Sequence, residues 1–206
     1  MTKIHLTLVV DRSGSMGTIK QDAEGGVNEL ISSRKKDDCS LILCEFDDNY
    51  SEIIYKKSKD CPPYNLSPRG CTAMYDAICK AIDSTGVFLS SIPEADRPEL
   101  VLFAIITDGQ ENSSRVFTYE DMKSRITHQT DVYKWQFSFL CTDPTVAKAV
   151  TSAGIYASAE YDAKNIRSAY GGLSAKFDRM VSETARGLGV NNHYTPEELA
   201  QINGKS

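Results

Sequence analysis

No stretch of this chain comes near the roughly 18 consecutive apolar residues of a membrane helix, so no spanning segment is expected. Its six cysteines, Cys39, Cys44, Cys61, Cys71, Cys79 and Cys141, include no C-x-x-C pair, and Cys44 and Cys141 fall inside apolar runs. Buried free thiols in a reducing cytoplasm fit that usage better than a disulfide framework. A basic surplus is missing too. Against 28 Asp and Glu stand 23 Lys and Arg, a formal charge of −5, which argues against direct binding to a nucleic-acid backbone. Nor is a secretory signal expected from the first residues. Lys3 precedes an apolar segment, but that segment is only Ile4 to Val10 and carries His5 and Thr7.

Signatures of catalysis are equally sparse. The three histidines lie in a strand (His5), late in a helix (His128) and in the C-terminal tail (His193), none at a loop where a ligand would sit. Gly14 to Lys20 lacks the Gly-Lys-Ser/Thr ending of a phosphate-binding loop. No Gly stands two places before Ser15, so the G-x-S-x-G elbow fails, and Ser33-Arg34-Lys35-Lys36 spells S-x-x-K without its companion motifs. An aspartyl-phosphate enzyme would need D-x-D where this chain has D-R-S. The expectation is that the protein is not an enzyme. A metal-dependent hydrolase or phosphatase is the main alternative, because hydroxyl-rich magnesium sites also serve phosphoryl transfer.

The composition that remains is that of a globular protein. Of 206 residues, 41% are apolar and 25% charged, enough for one domain with a full core. Elements alternate along the chain. A strand to Val10 precedes a helix from about Ile19 to Arg34, its continuity weakened by Gly25-Gly26. Leu41–Phe46 and Ser51–Lys57 read as strands of a hairpin around Asp47-Asp48-Asn49. A Pro-rich loop, 58–70, leads to a helix from Ala73 to Ser91 that Gly86 threatens to break. Glu99–Thr107 is the most apolar segment, the pattern of a central parallel strand covered on both faces.

Thr118 with Asp121 predicts a capped helix to about Thr130. Next come a strand over 135–141, a helix over 144–153, a short strand over 155–159 and a helix over 163–186. Thr195-Pro196-Glu197-Glu198 starts a last short helix. The order predicts a three-layer, doubly wound α/β fold with a mostly parallel sheet. The expected division is a domain over 1–186 and a helical tail over 187–206.

In such a sheet, ligands gather beyond the carboxyl ends of the strands. Asp11, Ser13 and Ser15 follow the first strand on a tight turn where Gly14 and Gly17 free the backbone. Alone, these residues suit a cation site and a helix cap about equally. Asp108 follows the central strand and Thr72 opens the helix between them, so all five side chains should meet at one sheet edge. Two carboxylates and three hydroxyls form an oxygen-only set, which favours Mg2+ first, then Mn2+ or Ca2+.

Three strings in order, D-R-S-G-S-M at 11–16, G-C-T-A-M-Y-D-A-I at 70–78 and I-T-D-G-Q-E-N at 106–112, resemble the metal-ion-dependent adhesion site (MIDAS) of the von Willebrand factor A (VWA) domain family. The likeness runs from Lys3 to about Arg186 and includes the W-Q-F-S-F-L strand at 135–140. It implies a Rossmann-like VWA fold with one antiparallel edge strand. It implies that Asp11, Ser13 and Ser15 hold the metal and that Thr72 and Asp108 alternate between direct and water-mediated ligation. A Glu or Asp of a protein partner would complete the coordination. Cys71 departs from the pattern, since relatives often carry Gly there, and a thiol beside a ligand would be open to oxidation.

The expected function is therefore divalent-metal-dependent protein binding by a cytoplasmic adaptor or assembly factor. A scaffold role in a ribonucleoprotein particle is a third possibility, with RNA contact supplied by a partner. Near the site, Asp76 either orients a metal-bound water or simply favours the positive end of its helix, the simpler account. Glu111 and Asn112 either shape the rim or solvate a loop.

Overall fold

The computed structural model describes residues 2–152, 155 and 157–204, with only the backbone of Ala163. Six strands form one sheet in the order β3-β2-β1-β4-β5-β6. They are β1 (Lys3–Asp11), β2 (Asp38–Phe46), β3 (Tyr50–Tyr55), β4 (Leu100–Ile106), β5 (Gln136–Cys141) and β6 (Ser158–Glu160). All pairings are parallel except β2–β3, whose antiparallel hairpin makes β3 an edge. The helices are α1 (Lys20–Arg34), α2 (Met74–Ser90), α3 (Tyr119–Tyr133), α4 (Pro144–Ser152), α5 (Ile166–Ala185) and α6 (Pro196–Ile202). The three-layer doubly wound architecture expected from the element order is the one observed.

Strand alternation divides the core. Leu6, Leu8 and Val10 of β1 face the α1/α5 layer with Leu102, Leu173 and Phe177, while Val9 faces the α2/α3 layer with Phe103, Ile78 and Met122. The central strand β4 is buried along its whole length, as a run covered on both faces must be.

Where the structure departs from expectation, packing is the reason. A 3-10 stretch over Gly14–Ile19 precedes α1, and the glycine pair does not break the helix. A Cβ on Gly26 would lie 2.3 Å from the Tyr170 ring, so the missing side chain is what lets α1 and α5 approach. Gly86 likewise leaves α2 intact. β2 begins earlier than expected, at Asp38, because its polar start pairs with Lys3 of β1. β3 ends at Tyr55, before the two lysines. The last strand is set by its pairing with 139–141 and covers Ser158–Glu160; residue 156 of the expected strand, and Ala153 of the expected fourth helix, lie outside the described residues. A 3-10 turn over Ala163–Asn165 comes before α5.

Both predicted capping boxes form, Thr118 with Asp121 and Thr195 with Glu198. The second sets α6 onto α5. Ile202 is fully buried, Arg179 binds Glu198 at 2.7 Å, and Asn192 Nδ2 donates to the Phe137 carbonyl at 2.9 Å. Among the described residues no helix is long and apolar enough to cross a membrane.

Candidate metal centre

Parallel register aligns the strand ends. Val10 is opposite Ile106, and Asp11 is opposite Phe46, so the loops after β1, the β2–β3 hairpin and β4 open at the same edge. Asp11 is fully buried. Its Oδ1 accepts the Ser13 amide at 2.6 Å and its Oδ2 accepts the Thr107 hydroxyl at 2.5 Å. Ser13 Oγ lies 3.1 Å from Ser15 Oγ, and Ser15 Oγ donates to Asp108 Oδ1 at 2.7 Å. Four of the five expected donors thus form one chain of contacts.

Thr72 joins them through the turn at Gly109. A Cβ there would sit 3.6 Å from Thr72 Oγ1 and 3.7 Å from Ser15 Oγ, so both hydroxyls face that turn. The set runs from buried (Asp11, Ser13, Thr72) through half-buried Asp108 to exposed Ser15. It is a pit with an open mouth.

Two braces hold the loops. On one side Gly14 N donates to the Gly70 carbonyl at 3.1 Å and Arg69 N to the Arg12 carbonyl at 2.7 Å. Gly70 has φ +67°, where a side chain is strained, and a Cβ on it would lie 2.4 Å from Asp48 Oδ2 and push that carboxylate aside. Arg12, inside the first motif, points away from the site. Its Nε meets Asp47 Oδ2 at 2.9 Å, and Arg69 Nε meets the same oxygen at 2.8 Å. The Asp47 carbonyl accepts from Ala73 N at 3.1 Å. Burial would raise the Asp47 pKa, but Arg69, the Asn49 amide and Arg12 outweigh it and hold the carboxyl below its usual range.

The other brace is the segment after Asp108. Asn112 Oδ1 accepts Thr72 N at 2.9 Å, and Asn112 N donates to the Thr72 carbonyl at 3.0 Å. Glu111 accepts the amides of Tyr75, Ser113 and Ser114 at 2.7–3.0 Å. Asp76 accepts those of Arg115, Val116 and Phe117 at 2.8–3.0 Å. These residues fasten the loop to the start of α2 rather than facing the site, and Asp76 is more than a charge at a helix end. Burial would raise the Asp76 pKa; the three amides prevail and lower it.

Burial dominates the electrostatics of the pit. It pushes Asp11 up to about 6, against the hydrogen bonds of Thr107 and Ser13 and with help from the Asp108 charge, and it raises Asp108 as well. Among the described residues no Lys, Arg or His forms an ion pair with either carboxylate. Buried carboxylates of this kind are ordinarily paired or hold a metal. An oxygen-only donor set with two negative charges and no resident cation fits a hard divalent ion. Among the described residues no group of three or more His, Cys, Asp or Glu side chains gathers as a metal site; the donors here are mainly hydroxyls.

Reading the sequence missed Thr107 and Asp47. Thr107 precedes Asp108 within the third motif, so its place was visible although its bond to Asp11 was not. Asp47 carries no local signal, because its partners come from other loops. Cys71 is exposed, while the other five thiols are buried. None of the three histidines belongs to the site. His5 is buried between Ser40 and Thr7, at 2.8 and 3.0 Å, with its pKa lowered by burial to about 3.

No protein-family model matches the chain, and no curated protein matches it in sequence. Solved structures do share its fold. A von Willebrand factor type A protein from Catenulispora acidiphila is 14% identical with a TM-score of 0.58, over 85% of this chain and 42% of that one. A D319A mutant of the PilB minor pilin from Streptococcus sanguinis is 11% identical with a TM-score of 0.61, over 92% and 64%. The vWF domain of the type V pili tip protein Mfa5 from Porphyromonas gingivalis is 9% identical with a TM-score of 0.59, over 92% and 97%. The chain thus spans less than two thirds of the first two structures and nearly all of the third. At these identities the likeness establishes a VWA-type α/β fold.

Proposed function

We propose that this protein is a divalent-metal-dependent protein-binding module. Asp11, Ser13, Ser15, Thr72 and Asp108 would hold Mg2+, with Mn2+ or Ca2+ as alternatives, and an acidic side chain of a partner would complete the site. The carrying observation is the pair of unpaired carboxylates, one fully buried, in a pit otherwise lined by neutral hydroxyls. When bound, the ion would supply two positive charges; with Asp108 acting through a water, Asp11 alone would offset them directly and a net positive charge would face the mouth. Asp11 fixes the buried side, and Thr107 and the Ser13 amide hold its two oxygens in place. Ser15 and Asp108 sit at the mouth, where an external carboxylate attracted to the ion would arrive.

The fold it shares with pilus proteins supports a role in binding rather than catalysis. The scattered free thiols support a reducing cytoplasmic setting, where a module of this kind would serve as an adaptor or assembly factor. The test is capture of partners by immobilised protein in Mg2+ and in chelator, repeated with Asp11→Ala, Ser13→Ala and Thr72→Ala. Partners lost both on chelation and in the variants support the reading. Capture undiminished by all four treatments ends it, and phosphatase turnover or co-purifying RNA would replace it with a hydrolase or a ribonucleoprotein scaffold.

A further inference from the structure

β3 is an outer edge of the sheet, and its residues Ser51 to Ile54 are exposed. Ile53 is 56% and Ile54 43% exposed, on opposite faces of the strand. A flat edge with exposed isoleucines is a template for another strand unless charge, proline or a bulge blocks it. This edge has no proline between Tyr50 and Lys57, and its charges are arranged so as to complement a second copy of themselves.

Alternation puts Glu52 and Ile54 on one face, with Glu52 accepting from Ser84 Oγ of α2 at 2.6 Å, and Lys56, the residue just past the end of β3, stays on that side, lining a hollow with Ser40, Phe88 and Ile92. Ser51, Ile53 and Tyr55 lie on the other, beside a groove of about 260 Å³ whose far wall is Pro62, Pro63 and Tyr64. When two copies pair antiparallel about Ile54, Ile54 meets Ile54 and Glu52 meets Lys56 twice. On the opposite face Ile53 meets Tyr55 twice, at the lip of the groove. Centring on Ile53 instead sets Glu52 against Ile54 and Lys56 against Tyr50. Centring between the two isoleucines sets Glu52 against Tyr55 and Lys56 against Ser51. Only the Ile54 register makes both ion pairs. Lys56 is exposed and in no ion pair among the described residues, whereas neighbouring Lys57 is already joined to Asp38.

We propose that the β3 edge is a self-association surface on which a second copy of this chain adds antiparallel, in the register centred on Ile54, extending the sheet through a twofold axis. Such an isologous contact closes on itself and forms a dimer rather than a fibre. One short strand pair covers less than the roughly 1,200 Å² of a stable interface. The dimer is therefore weak and concentration-dependent. The surface is separate from the metal centre, so the outcome for one does not decide the other.

Sedimentation equilibrium of the full chain from about 10 µM to about 1 mM, the span over which weak association shows, with Mg2+ and with chelator, tests it. The wild type should dimerise in both buffers. Glu52→Lys and Lys56→Glu each set like charges face to face twice and should weaken association about tenfold or more. The double exchange should restore it, and an equimolar mixture of the two single variants should form a mixed dimer. Circular dichroism and melting confirm that each variant is folded, since Glu52 also contacts Ser84. A wild type monomeric to about 1 mM, as when the edge serves another protein's extended segment, overturns the proposal. So do single variants that dimerise like wild type, or a double exchange no better than the singles.

Discussion

Replacing Asp11 by Asn separates what its charge costs from what it provides. In the metal-free protein this carboxylate is fully buried, beside Asp108, with its pKa raised from 3.8 to about 6. A carboxyl with a raised folded pKa favours the protonated native state. Its penalty is absent below the unfolded pKa, grows between pH 4 and 6, and is complete above about 6. Roughly two units at 1.36 kcal/mol each make that penalty about 3 kcal/mol at pH 7.5, with about half of it returned by pH 5. Asn keeps an oxygen for the Ser13 amide, and the Thr107 hydroxyl can turn to accept from the new amide.

Chelated Asp11→Asn should therefore be more stable than chelated wild type at pH 7.5, by up to about 3 kcal/mol. The gap should shrink by about 1.5 kcal/mol at pH 5. Comparing the two proteins at each pH cancels other titrating groups, such as His5. Saturating Mg2+ should close most or all of that gap at pH 7.5. Metal present at about a hundred times its dissociation constant adds about 2.7 kcal/mol to the wild type and should add little to the variant. Urea unfolding at the two pH values, with and without Mg2+, measures all four quantities. A chelated variant less stable than wild type at pH 7.5 and equally so at pH 5 would refute the electrostatic account. A variant that keeps the full Mg2+ response would refute Asp11 as a ligand.

Asp76→Ala removes the acceptor for three amides, at a cost of about 2 kcal/mol or more; hydrogen exchange at 115–117 should accelerate while β4 stays protected, and unchanged exchange would count against the brace. Gly70→Ala forces a Cβ toward Asp48 at a left-handed backbone position. It should cost about 1–3 kcal/mol in urea unfolding and weaken the Mg2+ response, because Thr72 is two residues away. Gly172→Ala drives a Cβ to within 2.5 Å of Ile202 Cγ1 and 2.8 Å of the Glu198 carbonyl. Limited proteolysis should then cut within 187–204 faster than in wild type, and equal rates would mean that α6 adjusts without lifting.

The architecture was legible because the signals were local and agreed with each other. The unbroken apolar run before Asp108 had the pattern of a strand covered on both faces, and both capping boxes named their helix starts. The glycine pair in α1 misled for a physical reason. Propensity lowers the helix at Gly26, whereas its true determinant is the Tyr170 ring, 144 residues further on. That Asp11, Ser13, Ser15, Thr72 and Asp108 come together was readable for the same reason as the strands, since all five stand at strand or helix ends. What supports them was not. Asp47, Glu111, Asn112 and Asp76 look like ordinary loop and helix-start residues, and their partners are set by the tertiary fold alone.

Asp48 and Asn49 at the tip of the β2–β3 turn are exposed, yet Asp47 beside them ties the backbone after β1 to the approach to α2 through Arg12, Arg69 and Ala73. A tag or inserted segment placed at Asn49, chosen as a harmless surface position, would loosen at once two of the loops that carry the proposed ligands. Tolerance to insertion at this tip, scored by ion response rather than by solubility, is thus a gauge of how tightly the pit is held.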